Sequence, residues 1–580
     1  MAEAVGEIQI PDTGKNRASL VAFAPEIGRA LLWRAAGPFR RGWRRSWIYR
    51  RFLGGKLCDH LSSYPYDGLP RRLEDADALL RGRFRFGGES VDIEEGSIFD
   101  KEPPSARWHR ELHSFAWLPP LSAAGGETAR TLATNLISQW VKRNPRYSEP
   151  IWEPAVLAKR LLHIFAHGRF VLANSDVMWR SKVFVSLREQ ARMLARISNE
   201  APQGLPRLEA FAAQAMSGAC LDDSPKRLET GLERLEAEIA AQILGDGGHI
   251  SRSPEALAHA FRLLAMVSDT LRAIDQPVPV NLQRAQDRMA PALRFFRHGD
   301  GALALFNGGS EMDARMIAGL LARDEVRGQP FSYAPHSGFQ RLAASRGLAI
   351  MDCGPPPPPA YSNNAHAGCL SFEFSSGQQR LVVNCGAGGP AHSRWETALR
   401  ATAAHSTVTL DDRSIARVTN AGLARDAIGP RLMGGPQKVL TSRIDTAQGW
   451  QVDASHDGYV PGLGITHERK LTLSPQGLML TGMDRLIPKP HRKGGPLNFA
   501  ARFHIHPDVR VSPNQGGGVL LKMPNGEGWR FRAAGGQLSV EESVYLGGNS
   551  VRRTEQLVVS GTVKDEPVEI GWVFEQIGTS

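Results

Sequence analysis

The spacing of the hydrophobic residues changes part-way along the chain, and this change constrains the fold more than any other feature. From about Thr131 to Arg297 apolar residues recur at helical spacing, and Gly, Pro and Asn separate the segments. After about Gly328 the spacing becomes two, as in the run 499–506. Many short strands without intervening helices predict an antiparallel β-sandwich after the helical half.

The helical half contains segments whose apolar residues share one face, such as 226–244. Ser253-Pro254 combines a capping residue with a proline at the first helical position, which predicts a helix start. The spacing fits a helical bundle or an α/α toroid and does not choose between them. The predicted helices are 132–143, 152–170, 180–198, 206–218, 226–244, 254–271 and 281–297.

The composition argues against a disordered protein, a disulfide-rich protein and a protein with a membrane-spanning helix. The chain has 580 residues, of which 42% are hydrophobic and 22% charged, as expected for a globular protein with more than one domain. Its five cysteines are scattered and predict neither a disulfide framework nor a zinc ribbon. No apolar run approaches 18 residues and no signal-peptide pattern opens the chain, so the sequence alone favours the cytoplasm.

Residues 1–59 form a predicted basic and aromatic arm, which carries part of the net charge of +11. Such an arm suits an anionic membrane surface or an acidic polymer, or else its aromatic residues pack on the main domain. No nucleic-acid-binding motif accompanies the charge, so no nucleic-acid partner is predicted. The residues concerned are Arg34, Arg40, Arg41, Arg44, Arg45, Arg50 and Arg51, interleaved with Trp33, Phe39, Trp43, Trp47 and Tyr49.

Polar residues stand at the ends of three predicted strands in the second half. His366 precedes the strand Cys369–Ser375, Asn384 ends the strand 381–386, and His405 precedes a further strand. Polar groups that converge at strand ends make a candidate site.

Three longer motifs surround or precede these residues: Asn363-Asn364-Ala365-His366-Ala367-Gly368, Thr402-Ala403-Ala404-His405-Ser406-Thr407, and upstream Asp246-Gly247-Gly248-His249. Together they resemble the heparinase II/III family of polysaccharide lyases. The resemblance extends over residues 60–575. It implies an α+β multidomain chain with an incomplete α/α toroid at 60–327 and an antiparallel β-sandwich at 328–580.

The resemblance implies β-elimination on a uronic-acid polysaccharide, which requires neutralising the carboxylate, removing the C5 proton and protonating the leaving oxygen. It assigns the first task to Asn199 and proton transfer to His405 or His249. Three positions depart from the family pattern. A histidine becomes Glu200, another becomes Asn364, and the tyrosine position falls near Ala256. Asn364, at the position of a family histidine, is also predicted to be catalytic.

The same resemblance implies a structural zinc held by His366, Asn384 and His405, where the amide replaces a carboxylate and weakens the site. Four further residues are predicted to contact substrate: Arg252 and Arg400 as carboxylate ligands, Trp395 as a stacking surface, and Glu200.

Two other functions stay open on the sequence. The lost family residues favour a non-catalytic protein that binds acidic glycans or assists envelope-polysaccharide assembly, because fold does not fix function. A hydrolase that uses Glu200 with Asp246 is the other alternative. The resemblance implies the cell envelope or periplasm, in conflict with the missing signal-peptide pattern.

Overall fold

A computed structural model describes residues 23–55, 58–68, 73–173, 175–221, 223–323, 328–387, 395–419, 422–514, 516–548 and 550–579. These residues pack into two compact units. One contains 23–29, 243–258 and 288–579, and the other contains 30–242 and 259–287. The predicted domain boundary after residue 327 lies outside the described residues, and the predicted domain limits stay predictions.

The first half is helical, as predicted, and the predicted helices all form with ends that differ by a few residues. The helix predicted at 180–198 spans Val177–Ile197, and the carboxylate of Asp176 caps it by accepting the Trp179 N–H at 2.8 Å. The elements are α1 Ala24–Ala35, α2 Gly37–Arg45, α3 Trp47–Arg51, α4 Leu73–Leu80, the hairpin β1 Arg83–Phe86 and β2 Glu89–Asp92, α5 Ala106–His113, α6 Leu118–Ala124, α7 Gly126–Arg143, α8 Pro154–Leu172, α9 Val177–Ile197, α10 Leu205–Leu221, α11 Pro225–Gln242, α12 Pro254–Ala273, α13 Val280–Phe295 and α14 Ala314–Leu321.

Helix α10 contains a long buried stretch, in which every residue from Ala210 to Leu221 is buried. It packs closely on α11 because glycines stand at the crossing. A Cβ on Gly218 would lie 2.4 Å from the backbone N of Leu228, and one on Gly231 would lie 2.5 Å from that of Ala215. Within the described residues, no helix is both long enough and apolar enough to cross a membrane.

The second half contains two large antiparallel sheets and a separate two-stranded sheet of β9 and β10. The strands are β3 Tyr333–Ala334, β4 Phe339–Ala343, β5 Gly347–Asp352, β6 Phe372–Ser376, β7 Gln379–Val383, β8 Val408–Leu410, β9 Ala416–Val418, β10 Leu432–Gly434, β11 Val439–Thr446, β12 Gly449–His456, β13 Ile465–Leu473, β14 Met479–Pro488, β15 Leu497–Ile505, β16 Arg510–Asn514, β17 Gly518–Lys522, β18 Glu527–Ala534, β19 Gln537–Tyr545, β20 Arg552–Val563 and β21 Val568–Thr579, with the short helices α15 Glu396–Leu399, α16 Gly422–Ile428 and α17 Val460–Leu463. One sheet has the order β19-β20-β15-β7-β6-β5-β4-β3, with β8 beside β15, and the other has the order β11-β12-β13-β14-β21-β18-β17-β16.

The two sheets share one hydrophobic core, which confirms the predicted sandwich. Phe372 of β6 stacks on Trp572 of β21, with ring centroids 5.3 Å apart and planes within 3°. Phe503 of β15 packs edge-on against the same indole at 4.9 Å. Burial of such side chains stabilises the fold by about 1.5–3 kcal/mol each. The strand β6 is buried on both faces, which places its Glu373 in the interior.

Candidate functional site

The two motif histidines, which the sequence pattern places at strand ends, are in contact. His366 Nδ1 lies 3.0 Å from His405 Nε2, and the rings are perpendicular with centroids 5.1 Å apart. Both side chains are buried, with exposures of 8% and 2%. His405 follows a short 3₁₀ turn at Thr402–Ala404, whereas His366 lies in an irregular loop before β6.

Hydrogen bonding fixes which ring nitrogens carry protons. His405 Nδ1 lies 2.8 Å from the carbonyl of Ala401, so it carries hydrogen and Nε2 accepts from His366 Nδ1. Nε2 of His366 then carries a lone pair that no described side chain engages. Burial lowers the pKa of His405 to about 4, and burial and His405 hold that of His366 well below its usual value. The pair is neutral at pH 7.

Arg400 holds the loop that carries His366. Its guanidinium donates to the carbonyls of Ala365, Ser362 and Pro430 at 2.8–3.0 Å, and its own carbonyl accepts the Ala367 N–H at 2.9 Å. Burial lowers the pKa of Arg400 to about 10. Through these contacts Arg400 positions the loop of His366. Its predicted contact with a substrate carboxylate stays a prediction.

Asn384 is buried, and its side-chain amide makes three hydrogen bonds. Its Oδ1 accepts the N–H of Ser406 at 3.1 Å, while Nδ2 donates to Leu305 O at 3.3 Å and to Glu373 Oε1 at 3.4 Å. Glu373 also accepts the Asn384 backbone N–H at 3.1 Å. The amide therefore ties the segment after His405 to a buried carboxylate.

The predicted zinc ligands fit an ion only in part. Zinc binds imidazole nitrogens at about 2.0–2.1 Å, so the facing nitrogens of His366 and His405 are close enough together to share one. The oxygen of Asn384 is committed to Ser406, so the third ligand is not presented. Zinc binding stays a prediction. Among the described residues, a separate cluster near the surface brings together side chains that could hold a metal ion: Cys58, Asp59 and His60.

The Asp-Gly-Gly-His element anchors a neighbouring loop. Asp246 accepts hydrogen bonds from the backbone of Gly248, His336 and Ser337 and from the Ser337 hydroxyl, all at 2.7–3.0 Å. His249 is 3% exposed, its Nδ1 accepts the Ser251 N–H at 3.1 Å, and burial lowers its pKa to about 4. The hydrogen bonds of Asp246 hold the loop of His336 and Ser337 in place. Catalysis by His249 stays a prediction.

Arg252 is likewise engaged inside its unit. Its guanidinium donates to the carbonyls of Ser337, Gly338, Gly354 and Pro355 and pairs with the buried carboxylate of Asp352. Its predicted role with a substrate carboxylate stays a prediction.

Asn199 and Glu200 lie in the other unit, in a 3₁₀ turn at the end of α9. Asn199 is exposed. Both carboxylate oxygens of Glu200 accept from the guanidinium of Arg44, one of them at 2.9 Å, so an arginine of the basic arm occupies this position. Such a two-point pair is geometrically specific.

The remaining predicted residues lie near the histidine pair along the chain. Asn364 is exposed in the His366 loop, beside Gly308, where an added Cβ would lie 2.8 Å from the Asn364 Cβ. Trp395 is half-buried and packs on a small cluster that includes Cys385, Leu399 and Ala404.

Comparison with known proteins agrees with this architecture. The profile of the family "Heparinase II/III-like, C-terminal" matches residues 326–573. FtsZ-localized protein C of Caulobacter vibrioides (strain NA1000 / CB15N) is 33% identical over 568 residues, covering 95% of this chain and 97% of that protein. The chain belongs to the heparinase II/III-like family.

Solved structures show the same fold for this heparinase II/III-like protein. The crystal structure of heparinase III aligns with a TM-score of 0.69 at 15% identity, covering 96% of this chain and 92% of that one. A mutant of the heparan sulfate lyase HepC from Pedobacter heparinus aligns with a TM-score of 0.61 at 15% identity, covering 99% and 94%. Identities this low establish the fold class and leave the chemistry to the residues.

Two residues of this heparinase II/III-like site were not predicted from the sequence. Glu373 lies between two phenylalanines in β6 and supports Asn384. Asn307 joins two loops, because its Nδ2 donates to Arg252 O and its Oδ1 accepts the His366 N–H, both at 3.3 Å. A carboxylate between two phenylalanines was a readable signal for Glu373, because a buried charge needs partners. Asn307 carried no comparable signal.

Proposed function

We propose that this protein binds an acidic polysaccharide without cleaving it and that it acts at the cell-division site. The observation that carries the first part is the pair between Arg44 and Glu200. The family resemblance places a catalytic histidine at residue 200, next to Asn199. Here that position holds a carboxylate tied to the arm, which cannot assist removal of a proton while it is so engaged.

The histidine pair supports the same proposal. Elimination needs a base whose pKa lies near the working pH. His405 has its two nitrogens committed to Ala401 and His366, and burial lowers its pKa to about 4. The lone pair on His366 belongs to a ring whose pKa is also well below its usual value, so it is a weak base. Near residue 256 an alanine replaces the tyrosine of the family pattern.

The net charge of +11 favours a polyanionic ligand. The test is calorimetric titration with uronate oligosaccharides at low and high salt, followed by mass analysis of the recovered sugar. We expect salt-sensitive binding and recovery of intact oligosaccharide. Shortened, unsaturated products would refute the non-catalytic reading, and shortened products without a double bond would support the hydrolase alternative.

The division-site part rests on the relative named FtsZ-localized protein C, which matches nearly the whole chain. A fluorescent fusion of this protein should form a band with FtsZ at mid-cell. A uniform distribution at native expression would overturn this part and leave the binding part standing.

A second candidate function is contact with an anionic membrane surface through α1–α3. Side chains of this segment expose unusually large apolar surface: Phe39 is 83% exposed, Trp47 74% and Leu32 73%. Arginines flank them, including Arg41, which is half-exposed. Apolar side chains set among arginines suit the interface of an anionic bilayer.

Co-sedimentation with vesicles tests the membrane contact. The protein should pellet with vesicles rich in phosphatidylglycerol and stay in solution with purely zwitterionic vesicles. The double substitution Phe39→Ser with Trp47→Ser should abolish pelleting, whereas the control Val177→Ser, at an equally exposed residue of α9, should not. Equal pelleting of the unsubstituted protein, the double variant and the control would exclude the arm as the membrane contact.

A further inference from the structure

A pocket lies behind the histidine pair, on the other side of the turn that carries His405. It is an open cleft of about 730 Å³, within the range of small-ligand sites. Ala403 and Ala404 line it, whereas the His405 ring points away to His366. The carbonyl of Ala403 accepts from Nε2 of His504 at 3.0 Å, which fixes the pocket floor to the turn.

The floor of the pocket presents a fixed set of polar groups. Because Nε2 of His504 donates to Ala403, its Nδ1 accepts, and it does so from the hydroxyl of Ser543 at 2.8 Å. The thiol of Cys385 lies 3.5 Å from the same nitrogen. Burial lowers the pKa of His504 to about 3, so the floor is uncharged at neutral pH.

One wall is apolar and includes an aromatic ring. Trp395 and Leu399 line the pocket, and Trp395 packs on the cluster that contains Leu399 and Cys385. An indole beside a mixed polar and apolar cavity offers a flat face for a sugar ring, whose C–H groups are apolar and whose hydroxyls are polar.

The sheet side of the pocket presents uncharged polar groups. Ser543 and Thr554 stand directly opposite each other on β19 and β20, and both line the pocket. Their side chains lie on the same sheet face as His504, because Ser543 contacts the His504 ring. Glu542 and Glu555 are the next residues along the two strands, so their side chains point to the other face. Uncharged hydroxyl groups offer no counter-charge to an anionic ligand.

We propose that this pocket binds a sugar ring that carries no negative charge. The ring lies against Trp395, and the hydroxyl oxygens of Ser543 and Thr554 accept hydrogen bonds from its hydroxyl groups. This ligand differs in charge from the acidic polysaccharide proposed above, and the site does not depend on the histidine pair. A polymer that contains both kinds of sugar would satisfy both sites.

The test is calorimetric titration of the full-length protein with four trisaccharides: maltotriose, cellotriose, chitotriose and trigalacturonate. We expect at least one of the three uncharged sugars to bind with one site per chain, and trigalacturonate not to bind at this site. Trp395→Ala should weaken the uncharged sugar about tenfold or more. Trp47→Ala, which removes an exposed indole elsewhere, should leave its affinity unchanged.

Circular dichroism would reveal misfolding of Trp395→Ala. A second variant tests the proposal in that case. Ala398 is exposed at the pocket edge, so Ala398→Trp fills the pocket without disturbing the core. It should also block binding. Failure of all three uncharged sugars to bind, or affinity unchanged in Ala398→Trp, overturns the proposal. Binding of trigalacturonate alone, lost in Ala398→Trp, overturns the assignment of an uncharged ligand.

Discussion

Asp484 is the residue whose replacement should destabilise the β-sandwich most clearly. It has no exposed surface and accepts four hydrogen bonds: from His467 Nε2 at 2.7 Å, from Arg469 Nε and Nη2 at 2.7 and 2.9 Å, and from Trp572 Nε1 at 2.9 Å. Burial alone would raise the pKa of Asp484, but Arg469 and His467 hold it below its usual value. The carboxylate is therefore charged in the folded protein.

The free-energy loss follows from the charge left behind. In Asp484→Ala the Arg469 guanidinium stays buried without its counter-charge, and breaking a buried pair costs about 3–5 kcal/mol. Arg469 also donates to the carbonyls of Leu370 and Ser406 at 2.8 and 2.7 Å, next to the histidine pair. For a unit of roughly 340 residues the unfolding entropy is about 0.7 kcal/mol per kelvin, so Tm should fall by about 4–7 °C.

Differential scanning calorimetry measures this shift. The control is Asp565→Ala, at an exposed aspartate on the turn between β20 and β21, which should change Tm by less than about 1 °C. The double variant Asp484→Asn with Arg469→Met removes both charges and should recover part of the loss, since replacing a whole buried pair is often near neutral. A Tm for Asp484→Ala equal to that of the control would refute the reasoning.

Two further predictions concern histidines and a glycine. Burial lowers the pKa of His113 to about 2, and its Nδ1 accepts from Trp140 Nε1 at 2.9 Å. The unfolded chain therefore binds a proton below pH 6.5 that the folded chain does not, and stability should fall by about 2 kcal/mol for this group between pH 7 and pH 5. His113→Gln should show a smaller loss over this range in urea titrations, and an identical slope would contradict the assignment. Gly368→Ala would place a Cβ 2.7 Å from His405 Cδ2, so it should destabilise the protein by about 1–3 kcal/mol and shift the His405 ring signals in NMR spectra. Gly462→Ala, with no atom within 4 Å, is its control, and equal effects would count against the packing argument.

The fold was predictable because hydrophobic spacing is a local property of the sequence. Helices such as α12 begin where the cap and proline signals predict, with Pro254 as the first residue. The small hairpin of β1 and β2 was not predicted, since its four-residue strands carry too little alternation to be distinguished from a loop.

The candidate site was predictable only where a motif carries it. The motifs predicted His366 and His405 at strand ends, and the structure places their nitrogens in contact. The contacts of Arg400 and the pair between Arg44 and Glu200 did not follow, because arginine is usually exposed and the partners of a long side chain are set by tertiary packing. Arg44 and Glu200 are 156 residues apart in the chain, and nothing in the local sequence shows that they pair.

The most direct measurement of the central claim is the ultraviolet absorbance of an unsaturated uronate product, recorded with this protein on a panel of acidic polysaccharides. An active heparinase III serves as the positive control, and each reaction is run with and without added zinc. We expect a flat trace on every polysaccharide that the protein binds. A rise on any substrate that disappears in His405→Ala would establish β-elimination and show that the protein is a lyase.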